Sequence, residues 1–176
     1  MPQDKDRSFV ATMTTNYGNL HLPKLTYGKT TKIKKTDYDT WSFDTYVDVS
    51  NTLCVKGDTP YDQIKFYFYC IDDYYSIYLL TDGFYHRYAL SNEDKDIISA
   101  FRANSEQTTF NLLDGNGRIV TLDQIDTAQP ILRIQTRGGR TLSVRGNHSV
   151  GGLVCTGKGG GSALNFKLNI LSQGAA

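Results

Sequence analysis

At 176 residues the chain fits one domain with its own core, and 39% hydrophobic against 21% charged residues is the balance of a globular protein, not a disordered one. Lys+Arg 19 against Asp+Glu 18 leaves a formal net charge of +1, so no overall field draws in nucleic acid or an acidic membrane surface. No stretch approaches the roughly 18 consecutive apolar residues of a membrane-spanning helix.

The opening Met1-Pro2-Gln3-Asp4-Lys5-Asp6-Arg7 is polar and no apolar run follows it. A secretory leader is therefore not expected, and the expected location is cytoplasmic, or exported without a conventional signal peptide. Lys29, Lys32, Lys34 and Lys35 crowd the next segment, but Asp37, Asp39, Asp44 and Asp48 follow at once and cancel their field beyond about one Debye length. Within that acidic stretch, Asp37-Tyr38-Asp39-Thr40-Trp41 sets carboxylates beside two aromatic rings. A sugar site needs this combination: acceptors for hydroxyls, and a flat face for the C–H surface of the ring. A loop with one tryptophan anchored in the core accounts for the same residues.

From residue 64 onward the chain alternates. Ile64, Phe66, Phe68 and Cys70 occupy one face, and Lys65, Tyr67 and Tyr69 the other; Tyr75, Ile77 and Leu79 then alternate with Ser76 and Tyr78. Period-2 alternation is the mark of a half-buried strand. Asp82-Gly83 reads as a hairpin turn, with Phe84 to Leu90 as the returning strand. All 12 tyrosines lie at or before Tyr88. Tyr67 and Tyr69 point outward if Phe66 and Phe68 point in, and an outward tyrosine row suits a recognition face, although cross-strand packing also enriches aromatics.

Over 91–103 two readings compete. Ser91 and Asp94 resemble a capping box with Ile97, Ile98 and Phe101 on one helical face, while Ile97 to Phe101 also reads as a strand. Asn116-Gly117 and Gly138-Gly139 then mark two more hairpins, and Leu164, Phe166, Leu168 and Ile170 alternate with Asn165, Lys167 and Asn169 in the closing strand.

Motifs with chemical potential fall short. Gly152 to Gly159 satisfies G-x-x-x-x-G-K but has Gly where a phosphate loop needs Ser or Thr, and it leads into a strand, not a helix. Asp114-Gly115-Asn116-Gly117 starts like a calcium loop, yet Ile119 and Ile125 stand where Gly and Glu are required. His21, His86 and His148 have no zinc-ligand spacing with one another or with Cys54, Cys70 and Cys155, which read as buried free thiols. A lone Arg137-Gly138-Gly139-Arg140 reads as a turn. No catalytic residue, metal or cofactor is expected, and nucleic acid is not an expected partner.

The pattern Phe-x-apolar recurs at Phe66-Tyr67-Phe68, Phe110-Asn111-Leu112 and Phe166-Lys167-Leu168, with Phe9-Val10-Ala11 as a degenerate copy. Together with Asp82-Gly83-Phe84-Tyr85, the stretch 138–144, and Gly151-Gly152-Leu153-Val154, this resembles fascin-like units of the β-trefoil superfamily over residues 66–171. Phe110-Asn111-Leu112-Leu113-Asp114-Gly115 is similar to ricin-B-type lectin repeats. Trp41 is the only tryptophan, so the Gln-x-Trp repeats of those lectins are missing. The resemblance implies an all-β, β-trefoil-like six-stranded barrel with three hairpins over a single domain, 1–176, in units 9–65, 66–109 and 110–171, with 118–130 inserted in the third. An antiparallel β-sandwich, or an α+β fold with one short helix near 92–103, remains open. The function expected is non-enzymatic recognition, of carbohydrate first, through Asp37, Tyr38, Asp39, Trp41, Tyr67, Tyr69 and Tyr85. The alternative partner is a protein, as for a receptor-binding toxin component, a protease inhibitor or a cytoskeletal binder; the oligomeric state stays open.

Overall fold

The computed structural model describes residues 4–34, 46–57, 63–81, 83–94, 96–157 and 161–174. They are all-β, with 53% strand and 8% helix. A short helix α1 (Asp4–Arg7) leads into β1 (Phe9–Thr15) and β2 (Gly18–His21), and helix α2 (Pro23–Tyr27) precedes β3 (Lys32–Lys34) and β4 (Tyr46–Asp48), which pair with each other. There follow β5 (Cys54–Lys56), β6 (Lys65–Ile71), β7 (Tyr74–Leu79), β8 (Tyr88–Asp94), β9 (Ile97–Arg102), β10 (Phe110–Leu113) and β11 (Ile119–Val120). The chain ends with β12 (Ile131–Thr136), β13 (Ser143–His148), β14 (Gly151–Cys155), β15 (Ser162–Ala163) and β16 (Phe166–Gln173). Among the described residues no helix is long and apolar enough to cross a membrane.

Ten strands close into a barrel, in the order β10, β12, β16, β1, β2, β5, β14, β9, β8 and β7, which returns to β10 through Phe110 and Tyr75. Closure removes the unpaired edges that an open sheet would expose. β6 lies across this circuit, paired to β1 on one side and to β7 on the other. A shorter circuit therefore also closes, through β1, β6, β7, β10, β12 and β16, every pair antiparallel. Six of the strands outside it form hairpin-like pairs, β2 with β5, β8 with β9 and β13 with β14. One strand of each pair meets the others: β14 pairs with both β5 and β9, and Thr52 bridges to Ser99.

The interior is filled by the inward faces that alternation predicts. Phe9, Phe66, Phe68, Phe110 and Phe166 are all fully buried, and the recurring Phe-x-apolar pattern places Phe66, Phe110 and Phe166 on β6, β10 and β16. Phe9 stacks on Phe68 with ring centroids 4.5 Å apart, and Tyr75 meets both rings edge-on. Tyr75 is buried with its hydroxyl donating to the Arg7 carbonyl at 3.1 Å and accepting from the Leu122 amide at 3.0 Å. Burial holds its phenol in the neutral form, well above the usual tyrosine range.

Of the two readings for 91–103, the strand from Ile97 to Phe101 is the one the structure shows: β8 and β9 form a hairpin with Ile98 and Ala100 buried and Phe101 partly exposed, and the described residues 91–94 and 96–103 hold no helix. The Ser91 hydroxyl, read as a cap, instead pairs with the Thr108 hydroxyl at 3.0 Å. The strand returning after Gly83 begins later than expected, at Tyr88, because Gly83 to Arg87 is spent in turn. The closing strand likewise starts at Phe166 and runs on to Gln173.

Candidate binding site

The outward tyrosines of β6 and β7 line a cleft of about 410 Å³ with Leu80, Arg87 and Ala103. Its geometry follows from the hairpin. The two-residue turn at Asp72 and Asp73, where Asp72 takes φ 59°, pairs Ile71 with Tyr74. In an antiparallel ladder that register sets Tyr67 opposite Tyr78. Their rings lie 6.4 Å apart, and Tyr69, 42% exposed, lies 6.2 Å from Tyr67 along the same strand. The Tyr78 hydroxyl accepts a hydrogen bond from Gln107 Nε2 at 2.9 Å, which fixes the orientation of that phenol.

Arg87 forms one wall. Its backbone is in the left-handed region, φ 66°, where a non-glycine residue costs of order 1 to 3 kcal/mol. The amide of Arg87 donates to the Leu79 carbonyl at 2.6 Å, so the turn that returns the chain to β8 sets this conformation. The cleft thus combines aromatic faces, phenol hydroxyls and one guanidinium. These groups can hold a flat, hydroxyl-bearing molecule by ring contact and hydrogen bonds.

The other expected ligand residues are placed differently. Asp37, Tyr38, Asp39 and Trp41 lie outside the described residues. Tyr85, expected among the ligand residues, is 2% exposed and does not line the tyrosine cleft. Its ring packs edge-on against Phe84 and Tyr88, and its hydroxyl donates to the Asn51 Oδ1 and faces the Ser50 carbonyl. Burial, with smaller contributions from Tyr88 and Asp48, pushes its phenol up to about 12. It ties the turn after Gly83 to the segment before β5. Phe84, its neighbour, is 60% exposed under the Lys24 ammonium at 4.5 Å.

The motifs set aside in the sequence have structural roles. Asp114 Oδ1 accepts from the amides of Asn116 and Arg118, both at 2.9 Å, closing the turn between β10 and β11. Arg137 lies over the Tyr74 ring at 3.6 Å and Arg140 pairs with Asp96 at 2.9 Å. Cys54, Cys70 and Cys155 are buried free thiols, and burial pushes Cys54 up to about 12, far from thiolate reactivity. Among the described residues no group of three or more His, Cys, Asp or Glu is placed to hold a metal ion.

Tyr78, Leu80, Arg87 and Ala103 belong to the cleft but were missed in the sequence. Tyr78 was within reach, since a turn at 72–73 dictates its partner. Arg87 and Ala103 arrive from the two ends of the β8–β9 hairpin, and nothing local marks them. Comparison of the chain with family models, curated proteins and solved structures finds no match to any of them.

Proposed function

We propose that this chain is a β-trefoil-like recognition domain that binds carbohydrate in the tyrosine cleft. The trefoil reading draws support from the six-strand circuit and from the three pairs β2–β5, β8–β9 and β13–β14 that meet at one end. On this reading each unit opens at β1, β7 or β12 and closes on the Phe-bearing strand β6, β10 or β16. The unit boundaries then fall before Tyr74 and Ile131, and 118–130 joins the second unit to the third.

The observation that carries the carbohydrate reading is the cleft formed by Tyr67, Tyr69 and Tyr78 with Arg87 at its wall. Tilted, partly exposed phenols offer apolar faces to a sugar ring and hydroxyls to its oxygens, at low entropic cost because each side chain has only two rotatable bonds. A guanidinium adds donors for ring or exocyclic oxygens. A glycan array, followed by calorimetric titration of the strongest class, tests the reading. Binding that is lost in Tyr69→Ala and Arg87→Ala supports it.

A protein partner is the second reading, favoured by the exposed Phe84 and by Ile131, which is 64% exposed. A blank array together with a stoichiometric complex that depends on Phe84 would replace the first reading with this one.

A further inference from the structure

The tyrosine cleft is rich in hydrogen-bond donors and poor in acceptors. Of its described lining residues, Leu80 and Ala103 have no polar side-chain atom, and the others are Tyr67, Tyr69, Tyr78 and Arg87. No amide or carboxylate side chain is among them. Glu106, next to the Gln107 that holds Tyr78, does not line the cleft. The phenol oxygens are therefore the only acceptors among these side chains, and that of Tyr78 is already engaged by Gln107.

Strand register brings the donors together. Tyr67 pairs with Tyr78, Tyr78 with Ala89, and Ala89 with Phe101. Two residues along, the same registers set Leu80 on one side of Arg87 and Ala103 on the other, so Arg87 stands one row from Tyr78 on the same face of the sheet. Their hydrogen-bonding capacity is not used within the protein. The Gln107 bond occupies a lone pair of the Tyr78 oxygen and leaves the phenol proton for another acceptor. Among the described residues the Tyr67 and Tyr69 hydroxyls have no hydrogen-bond partner. The Arg87 guanidinium likewise forms no ion pair there, unlike Arg7, Arg118 and Arg140, each of which is paired with an aspartate.

This balance discriminates between ligands. Each hydroxyl of a neutral sugar carries a proton that loses its bond to water on entering the cleft, and few acceptors replace it. A carboxylate or sulfate carries no such proton. It only accepts, and two of its oxygens match the parallel N–H bonds of a guanidinium. We infer that the cleft selects acidic sugars, those bearing a carboxylate or a sulfate, with Arg87 as the charge partner of the anionic group and the three tyrosines against the sugar ring. The inference rests on the carbohydrate reading of this cleft and adds the class of sugar.

The test is a glycan array at physiological ionic strength in which neutral glycans stand beside their sialylated, uronic-acid-bearing and sulfated counterparts. Acidic members are expected to bind about tenfold or more tightly than their neutral counterparts, as a charge-assisted hydrogen bond supplies. Comparing the sialylated and uronic members with the sulfated ones tells which anion is preferred. Arg87→Gln should bring each acidic member down to its neutral counterpart, while Tyr69→Ala weakens both. Methyl esterification of the ligand carboxylate removes the charge without touching the protein, so it keeps the test valid if Arg87→Gln perturbs the fold; the ester should bind like the neutral glycan. Lys65→Gln is the control, since Lys65 is exposed on the same strand as Tyr67 and Tyr69 but does not line the cleft. A loss in Lys65→Gln equal to that in Arg87→Gln would assign the preference to the general surface field and overturn the inference. Neutral glycans that bind as tightly as their acidic counterparts, and still require Tyr69, overturn the inference alone and leave the carbohydrate reading standing. A blank array, or binding indifferent to both Tyr69→Ala and Arg87→Gln, overturns both.

Discussion

Tyr67 and Tyr78 face each other across β6 and β7, ring centroids 6.4 Å apart with planes inclined by 31°, while their neighbours Phe68 and Ile77 pair on the opposite face inside the core. One hairpin thereby serves two solvents. The inward pair is worth most to stability and the outward pair is free to meet a ligand, because successive side chains of a strand alternate.

This division predicts that binding and stability separate on substitution. Tyr69→Ala removes a ring that is 42% exposed, so thermal stability changes little while glycan affinity falls by roughly tenfold or more, the loss of one well-placed aromatic contact. Phe68→Ala, one position away and fully buried, costs about 3 to 5 kcal/mol of stability by leaving a cavity. Chemical denaturation of both variants beside calorimetric titration checks the pair. Equal destabilisation by the two substitutions would contradict the assignment of faces.

Tyr85 makes the complementary case. Tyr85→Phe keeps the ring contacts with Phe84 and Tyr88 but leaves the Asn51 Oδ1 without the Tyr85 donor, while the Ser50 carbonyl keeps the Lys24 amide at 3.0 Å. Removing one partner from a buried hydrogen bond costs about 1 to 3 kcal/mol. The expected outcome is a lower denaturation midpoint with an unchanged slope and unchanged glycan affinity. A loss of affinity without a loss of stability would return Tyr85 to the ligand role first expected of it.

The alternation of residues 64–79 carried most of what was legible in the sequence: the core face of β6 and β7, and the outward set of Tyr67 and Tyr69. The inward face of the recurring Phe-x-apolar pattern was also legible, since Phe66, Phe110 and Phe166 are buried on β6, β10 and β16. What escaped depended on partners far along the chain. The strand from Ile97 to Phe101 was legible only as one of two readings, because Ile97, Ile98 and Phe101 also fit a helical face locally; the deciding bonds are from the Leu53 amide to the Ile98 carbonyl at 2.9 Å and from the Ala100 amide to the Asn51 carbonyl at 2.8 Å. Those long-range bonds hold the segment extended, and no local propensity encodes them. Tyr85 escaped for the same reason, its hydroxyl being drawn inward by Ser50 and Asn51, more than 30 positions away. Arg87 lines the cleft from the turn before β8, where its φ is 66°.

Acid should weaken the fold through His21. Its ring is 3% exposed, with Nε2–H donating to the Val150 carbonyl at 2.7 Å and Nδ1 accepting from the Thr26 hydroxyl at 3.0 Å. The carbonyl can only accept, which places the proton on Nε2. Burial lowers the pKa of this imidazole below the usual 6.5, the Val150 contact opposing and Lys56 adding to the effect. The unfolded chain therefore binds a proton that the folded chain refuses. The contribution of His21 to stability is complete above about 6.5 and declines as the pH falls toward the lowered folded value. Denaturation midpoints measured from pH 8 to pH 5 in the native chain and in His21→Gln check this, and the variant is expected to show the shallower pH dependence.

The contact between β5 and β14 joins two of the three hairpin pairs, and it depends on Gly151. Its φ is 93°, a conformation that side chains rarely adopt, and a Cβ there would stand 2.1 Å from the Val55 carbonyl oxygen. Gly151→Ala therefore combines backbone strain with a collision against main chain, which cannot swing aside as a side-chain tip would. Each effect alone costs of order 1 to 3 kcal/mol, and together they should separate β14 from β5 at Gly152 and Val55, where the two strands pair. Gly115→Ala is the control, since a Cβ at that turn meets nothing within 4 Å and the position has no positive φ. Hydrogen exchange reads the difference locally: in Gly151→Ala, if it folds, the amides of Val55 and Leu153 lose protection, and in Gly115→Ala they keep it. If Gly151→Ala does not fold while Gly115→Ala does, the same dependence is read as loss of the whole domain. Equal stability and equal protection in the two variants would mean that β5 and β14 do not approach each other at Gly151.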